Sequence, residues 1–123
     1  MLPERLAICR LSPNDALPSW ALNGVFWSIL RSSTELSIVC PQEIIPQGIE
    51  YESGWRAFKV AGTIPFELTG ILVSIASPIA EAGISIFAIS SYNTDYVLVK
   101  EDNLVKAMNI LTTAGHNFEK DNY

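Results

Sequence analysis

Pro65-Phe66-Glu67-Leu68-Thr69-Gly70-Ile71-Leu72 opens the stretch that decides the fold, and Gly83-Ile84-Ser85-Ile86-Phe87-Ala88-Ile89-Ser90-Ser91-Tyr92-Asn93-Thr94-Asp95-Tyr96-Val97-Leu98-Val99 completes it. Leu68, Ile71, Leu72, Ile75, Ile79 and Ala82 recur at spacings of three and four, which is the one-sided apolar stripe of a helix packed on a flat partner. A sheet is the flat partner nearest to hand. Gly83 is placed to end that helix in the left-handed conformation. The β-branched and aromatic residues after it then form two runs separated by Ser90 to Asp95. A helix followed by a hairpin, with Asp95 at the hairpin end, is the local prediction.

Upstream, Glu4 to Leu11 alternates weakly and predicts a first strand, closed by Ser12-Pro13-Asn14-Asp15. Pro13 and Pro18 leave little room for a helix between them. Asn23-Gly24 is a turn signal, and Val25 to Arg31 reads as a second strand with Phe26 and Trp27 as large packing residues. Ser33-Thr34-Glu35 is either one helical turn or a tight connection. Leu36 to Cys40, apolar on both faces, predicts an interior strand. Pro41, Pro46 and Gly48 punctuate the next segment, and Ile49-Glu50-Tyr51-Glu52-Ser53-Gly54 has the composition of a loop, so the boundary between halves is placed there, giving 1–52 and 53–123.

Trp55 to Gly62 then reads as a fourth strand and Thr63 to Glu67 as a connection. Pro78 removes the helical hydrogen bond to Ser74, which predicts a kink, or a break with Ser77 capping a second short helix. Asp102 is placed to cap a last helix carrying Leu104, Ala107, Met108 and Leu111, with Gly115 as its stop. His116 to Glu119 offers an edge strand. The C-terminal half therefore spells strand, helix, strand, strand, helix, strand, the split βαβ order of ferredoxin-like folds. The N-terminal half has strands in similar order, its helices worn down to proline-broken loops, and the whole is α+β.

Composition narrows the function. With 49% hydrophobic and 17% charged residues the chain is not disordered, and so little charge leaves surface for a partner to cover. Trp20, Trp27 and Trp55 are more than a core of 123 residues easily hides, which points to a homodimer. The net charge of −5 and eight scattered basic residues argue against nucleic acid. No apolar run reaches the roughly 18 residues of a membrane span, and Glu4 and Arg5 interrupt the start before a signal-peptide core, so the expectation is a cytoplasmic protein without membrane contact. Cys9 and Cys40, both in strand-like runs, read as two buried thiols, with no spacing that suggests a metal site.

Catalytic constellations are missing. The single histidine, His116, stands beside a helix stop and reads as a surface or capping residue. Glu43, Glu50 and Glu52 show no pairing spacing, and neither a nucleophile elbow nor a phosphate loop occurs. Binding is better supported. A helix starting at Thr69-Gly70-Ile71 presents free N–H groups and the positive end of its dipole to a carboxylate. Gly70 either admits the ligand closely or merely permits tight helix-to-sheet contact. Tyr92-Asn93-Thr94-Asp95 is either a ligand-facing acid or a turn with no further role.

Gly70-Ile71-Leu72 opening the helix, Ala82-Gly83-Ile84-Ser85-Ile86 after it, and Ser90-Ser91-Tyr92-Asn93-Thr94-Asp95-Tyr96-Val97-Leu98-Val99 as a hairpin, with Ser90-x-x-x-Thr94-Asp95 the specific part, together resemble an ACT domain. They resemble in particular the variant found in cytosolic arginine sensors of the CASTOR type and in small bacterial and fungal relatives. Phe26-Trp27-Ser28-Ile29 and Glu35 to Pro41 resemble the companion half of those proteins. The resemblance implies two tandem ACT-like βαββαβ halves, the N-terminal one degenerate, with antiparallel sheets and helices on one face. It further implies a regulatory sensor, not an enzyme, that needs no cofactor and binds an amino acid at an ACT interface. On that reading the carboxylate meets Gly70 and Ile71, the cationic group meets Asp95, and Glu67, Thr69, Ser90, Ser91 and Thr94 are secondary contacts. The alternative is a dimerisation or protein-interaction module with no ligand.

Overall fold

The computed structural model describes residues 1–60 and 65–116, with backbone alone from 65 to 71. Two compact units emerge, Glu4–Trp55 and the residues from Arg56 onward joined by Met1–Pro3.

In the N-terminal unit β1 (Leu6–Leu11), β2 (Ser28–Arg31), β3 (Leu36–Pro41) and the first half of β4 (Glu50–Val60) pair antiparallel in the order β2-β3-β1-β4. That is the ferredoxin-like strand order with each helix reduced to a 3-10 turn, Ser19–Leu22 and Gln42–Ile44. Prolines explain the reduction, since Pro13, Pro18, Pro41 and Pro46 leave no stretch long enough to repay helix nucleation. A core still forms because one face of the sheet is apolar. Cys9, Leu36, Ile38 and Cys40 are buried with Ala21, and Trp20, Ile29, Ile44 and Ile45 pack around them.

Two local expectations are corrected here, and one open alternative is decided. Ile49 to Gly54 is not a loop, because β4 begins at Glu50 and places Glu50, Tyr51 and Glu52 opposite Arg10, Cys9 and Ile8. The edge of β1 supplies those ladder partners, and a polar segment pairs once such an edge is present. From Leu6 to Ile8 the partner strand advances from Trp55 to Glu52, one residue too many, so β4 carries a bulge there. Gly54 absorbs it at φ +81°, its N–H donating to Gln42 Oε1 at 2.9 Å. Val25 to Trp27 precede β2 instead of belonging to it, and Trp27 is 45% exposed. Ser33 to Glu35 is the tight connection, closed by Ser32 N–H donating to the Glu35 carbonyl at 2.9 Å.

The C-terminal unit contains the second half of β4, α1 (Pro65–Glu81), β5 (Ile86–Ser90), β6 (Asp95–Lys100), a 3-10 turn (Glu101–Asn103) and α2 (Leu104–Thr113). Its strand order is β4-β6-β5, the order of strands one, three and two in a ferredoxin-like domain. Both helices lie on one face of this sheet. Phe58 and Val99 from the strands meet Ile79 of α1 and Ala107 and Leu111 of α2, with Ile84 beside them. Farther along the same face Val60 and Val97 are covered by Leu72 and Ile75.

Gly83 ends α1 as predicted, at φ +77°. Its N–H donates to Ala80 O at 2.9 Å and that of Ile84 to Ile79 O at 3.2 Å, with Ile79 and Ile84 both buried, which makes a Schellman motif with its apolar contact. Gly115 and His116 end α2 in the same way, on Thr112 O and Leu111 O. Asp102, by contrast, is not the cap of α2. It lies in the preceding 3-10 turn, and Asn103 holds the cap position without a side-chain bond. α1 runs through Pro78 without the break that would have given a second helix at Ser77. His116 is not in a strand, and residues 117–119 of the expected edge strand lie outside the described residues.

Candidate functional site

Asp95 is the one buried polar or charged side chain among the described residues, 7% exposed. It opens β6 and faces Ser90, the last residue of β5, whose hydroxyl donates to Asp95 Oδ1. Alternation along β6 puts Asp95 on the same face as Val97 and Val99, toward the helices. Passing from Val99 to Val97, the covering residues change from Ile79 to Ile75 and Leu72, so the next step along the strand brings Asp95 level with the first turns of α1. The four residues between the strands form a closed turn. Ser91 N–H donates to Thr94 O at 2.8 Å and Ser91 Oγ to the same carbonyl at 3.1 Å, while Tyr92 is 91% exposed.

By this register the hairpin end lies toward the same end of the C-terminal unit as the start of α1. Ser90 and Asp95 are in contact, and Ser91 and Thr94 close the turn beside them. Glu67, Thr69, Gly70 and Ile71 all lie in α1, which begins at Pro65 and not at Thr69. This corrects the expected anion contact. The N–H groups of Gly70 and Ile71 point along the helix to carbonyls four residues back, and the donors left over are those of Phe66 and Glu67. Proline at the first helical position was the available sign of this earlier start.

Elsewhere the chemistry is structural. His116 Nε2 lies 3.2 Å from Ser74 O, the carbonyl that the missing N–H of Pro78 would otherwise serve. Cys9 and Cys40 are free, buried and one diagonal step apart on neighbouring strands. A hydrogen bond to Cys9, and then burial, push the Cys40 thiol far up, and the same bond pulls Cys9 down. No group of three or more His, Cys, Asp or Glu side chains placed to hold a metal occurs among the described residues. Sequence spacing gave no pairing for Glu50 and Glu52, yet with Glu35, Arg10, Ser37 and Tyr51 they line an open concavity of about 450 Å³ on the N-terminal unit. The Arg10–Glu35 pair in it, at 3.8 Å, is mostly solvated and so contributes little. No helix of the described residues is long and apolar enough to cross a membrane.

Comparison with known proteins agrees with this fold. A sequence profile describing the ACT domain matches residues 50–113, and a second, describing an N-terminal domain, matches residues 4–48. Over 58 residues the chain is 38% identical to the human cytosolic arginine sensor for mTORC1 subunit 1 and 36% identical to the rat protein. That stretch is 46% of this chain and 18% of the sensor, so the match spans less than a fifth of those relatives. A crystal structure of an Agrobacterium tumefaciens protein is 40% identical and superposes with a TM-score of 0.91, covering 98% of this chain and 90% of that one. The regulatory subunit of aspartate kinase from Thermus thermophilus, 11% identical, superposes with a TM-score of 0.64 over 92% of this chain and 94% of its own, a likeness of fold alone.

Proposed function

Because this chain belongs to the ACT-domain family, we propose that it is a non-catalytic regulatory protein that binds a free amino acid at its C-terminal ACT domain. The observation that carries the reading is Asp95, a carboxylate kept buried at the level where α1 begins. Burying a charge is costly unless it is bonded, and here the hydroxyl of Ser90 is the bonded partner. A cationic group on a ligand repays the remainder, and the positive end of α1 suits the ligand's carboxylate.

In this arrangement the carboxylate is held by the N–H groups at the start of α1, with Glu67, Thr69, Gly70 and Ile71 in the turns around it. The cationic end meets Asp95, flanked by Ser90, Ser91 and Thr94. The amino acid named for the sensor relatives, arginine, is the first candidate. Two ACT-like halves in one chain, and a site completed at an interface within a homodimer, extend the same reading to the cytoplasmic sensor class.

A thermal-shift screen against the twenty amino acids tests it. A ligand at 100 times its dissociation constant adds about 2.7 kcal/mol to stability. Asp95→Asn, which keeps an acceptor for Ser90 and removes the charge, should weaken binding about ten- to a hundredfold by calorimetry. Equal binding by wild type and variant would place the site elsewhere.

A second reading has its own observation. Leu17, Leu22, Val25, Trp27 and Leu30 are all more than two-fifths exposed and cluster in sequence around β2, the edge strand of the N-terminal unit. An exposed apolar edge suits a protein-interaction module. That reading takes over if no amino acid binds the wild type at millimolar concentration.

A further inference from the structure

The hairpin β2–β3 repeats the hairpin β5–β6. Both join the second and third strands of their units, both loops hold four residues, and both close with the first loop N–H on the fourth carbonyl, Ser32 to Glu35 at 2.9 Å and Ser91 to Thr94 at 2.8 Å. The register makes Arg31 the counterpart of Ser90 and Leu36 the counterpart of Asp95. Leu36 is fully buried beside Cys9 and Ile38, whereas Arg31 stands exposed at the strand end.

The chemistry at that corner is inverted. The acid has become an apolar core residue, and the hydroxyl has become a guanidinium. Arg31 reaches from the hairpin end to the connection after β1, where Nη1 donates to Pro13 O and Nη2 to Asp15 O at 2.7 Å. That connection is itself a closed turn, with Asp15 N–H on Ser12 O at 3.0 Å and Ser12 N–H on Asp15 Oδ2 at 3.2 Å. In chain order it follows the first strand of its unit, as α1 follows β4 in the C-terminal unit.

We infer that the N-terminal unit retains the frame of the ligand corner but fills it with its own Arg31, so that each chain takes up one amino acid, at the C-terminal unit. A tethered guanidinium is present at a high effective concentration, and no free ligand at ordinary levels displaces it. With Leu36 in place of the acid, the emptied corner would also lack the charge that holds a cation. The stoichiometry rests on the reading of Asp95 given above, and the filling of the corner by Arg31 does not.

Hydrogen exchange read by mass spectrometry on the full chain separates the two. With millimolar L-arginine, protection should appear in peptides over 65–71 and 90–95 and be absent from peptides over 12–18 and 31–36. Protection in the latter pair would overturn the inference. In Arg31→Ala without ligand, exchange of the amides in 12–18 should rise about tenfold, because the two bonds that pin the turn are gone. Unchanged exchange in that variant would equally overturn it. Should the twenty amino acids protect nothing in the wild type, the proposed sensor function falls, and the Arg31→Ala result alone decides whether the corner is self-filled.

Discussion

Pro78 cannot give the carbonyl of Ser74 the N–H that an unbroken helix supplies, and His116 delivers a ring N–H to that carbonyl from the end of α2. The Schellman turn at Gly115 aims the imidazole. His116→Ala should therefore lose about 0.5–1.5 kcal/mol in urea unfolding. The loss should shrink when Pro78→Ala restores the backbone donor, and a double-mutant cycle without coupling would show that His116 serves nothing at Ser74. Asp95 calls for the opposite care. As a simple turn residue it would be replaceable at no cost, but it is buried and bonded to Ser90, so Asp95→Ala should destabilise by about 1.5–3 kcal/mol while Asp95→Asn costs less. Binding measurements on the alanine variant need a folding control for that reason. The thiol of Cys40 is held protonated by its bond to Cys9 and by burial, above its ordinary value of 9.0. Its contribution is complete below pH 9.0 and declines as the unfolded chain ionises above it. Cys9, shifted downward, works in the other sense. Stability from urea unfolding measured above pH 9 should fall by less than about 1.4 kcal/mol per pH unit, and Cys40→Ala should flatten the fall.

α1 shows how a periodic stripe becomes a packed element. Ile79 has no exposed surface, lies between α2 and the sheet, and closes the Schellman contact with Ile84, whereas Val73 is 57% exposed on the far side of the same helix. Ile79→Ala should lower stability by about 2–5 kcal/mol and Val73→Ala by less than about 0.5 kcal/mol, both read from denaturant midpoints. Gly83→Ala isolates the backbone part of the helix end. An added Cβ would meet no atom within 4 Å, so the penalty is that of the left-handed conformation alone, about 1–2 kcal/mol. The two 3-10 turns of the N-terminal unit stand at the other limit. They carry little helix of their own, and Ala21 is buried because the sheet beneath it already offers an apolar face.

Among the described residues both units run β-x-β-β-x with the second and third strands paired as a hairpin, and they differ in what fills x. Where helices fill it, the hairpin end carries a buried acid, Asp95. Where 3-10 turns fill it, the same corner carries Leu36 and a tethered Arg31. Calorimetry with L-arginine should accordingly give one site per chain, and two equivalent sites would contradict the division of labour. Sedimentation at tens of micromolar protein should show a homodimer, and a monomer would remove the proposed intersubunit interface.

Much of this architecture was legible in the residues because it obeys local rules. The stripe at spacings of three and four, the glycine stops at 83 and 115 and the alternation on either side of Ser90–Asp95 each depend on neighbours a few residues away, and each appears in the structure. Proline at 65 was an equally local sign of where α1 begins, although the later Thr69-Gly70 suggested a start too far along. Other features depended on partners distant in sequence. Glu50 to Ser53 became strand because the edge of β1 was there to pair with it, against the segment's own composition. Asp95 became a buried carboxylate only once β5 had paired with β6 and set Ser90 beside it, and Arg31 found its acceptors at Pro13 and Asp15 only once β1 and β2 had been arranged around β3. Periodicity and turn chemistry fix elements over a few residues, but burial and charge pairing are properties of surfaces that exist only after those elements have packed.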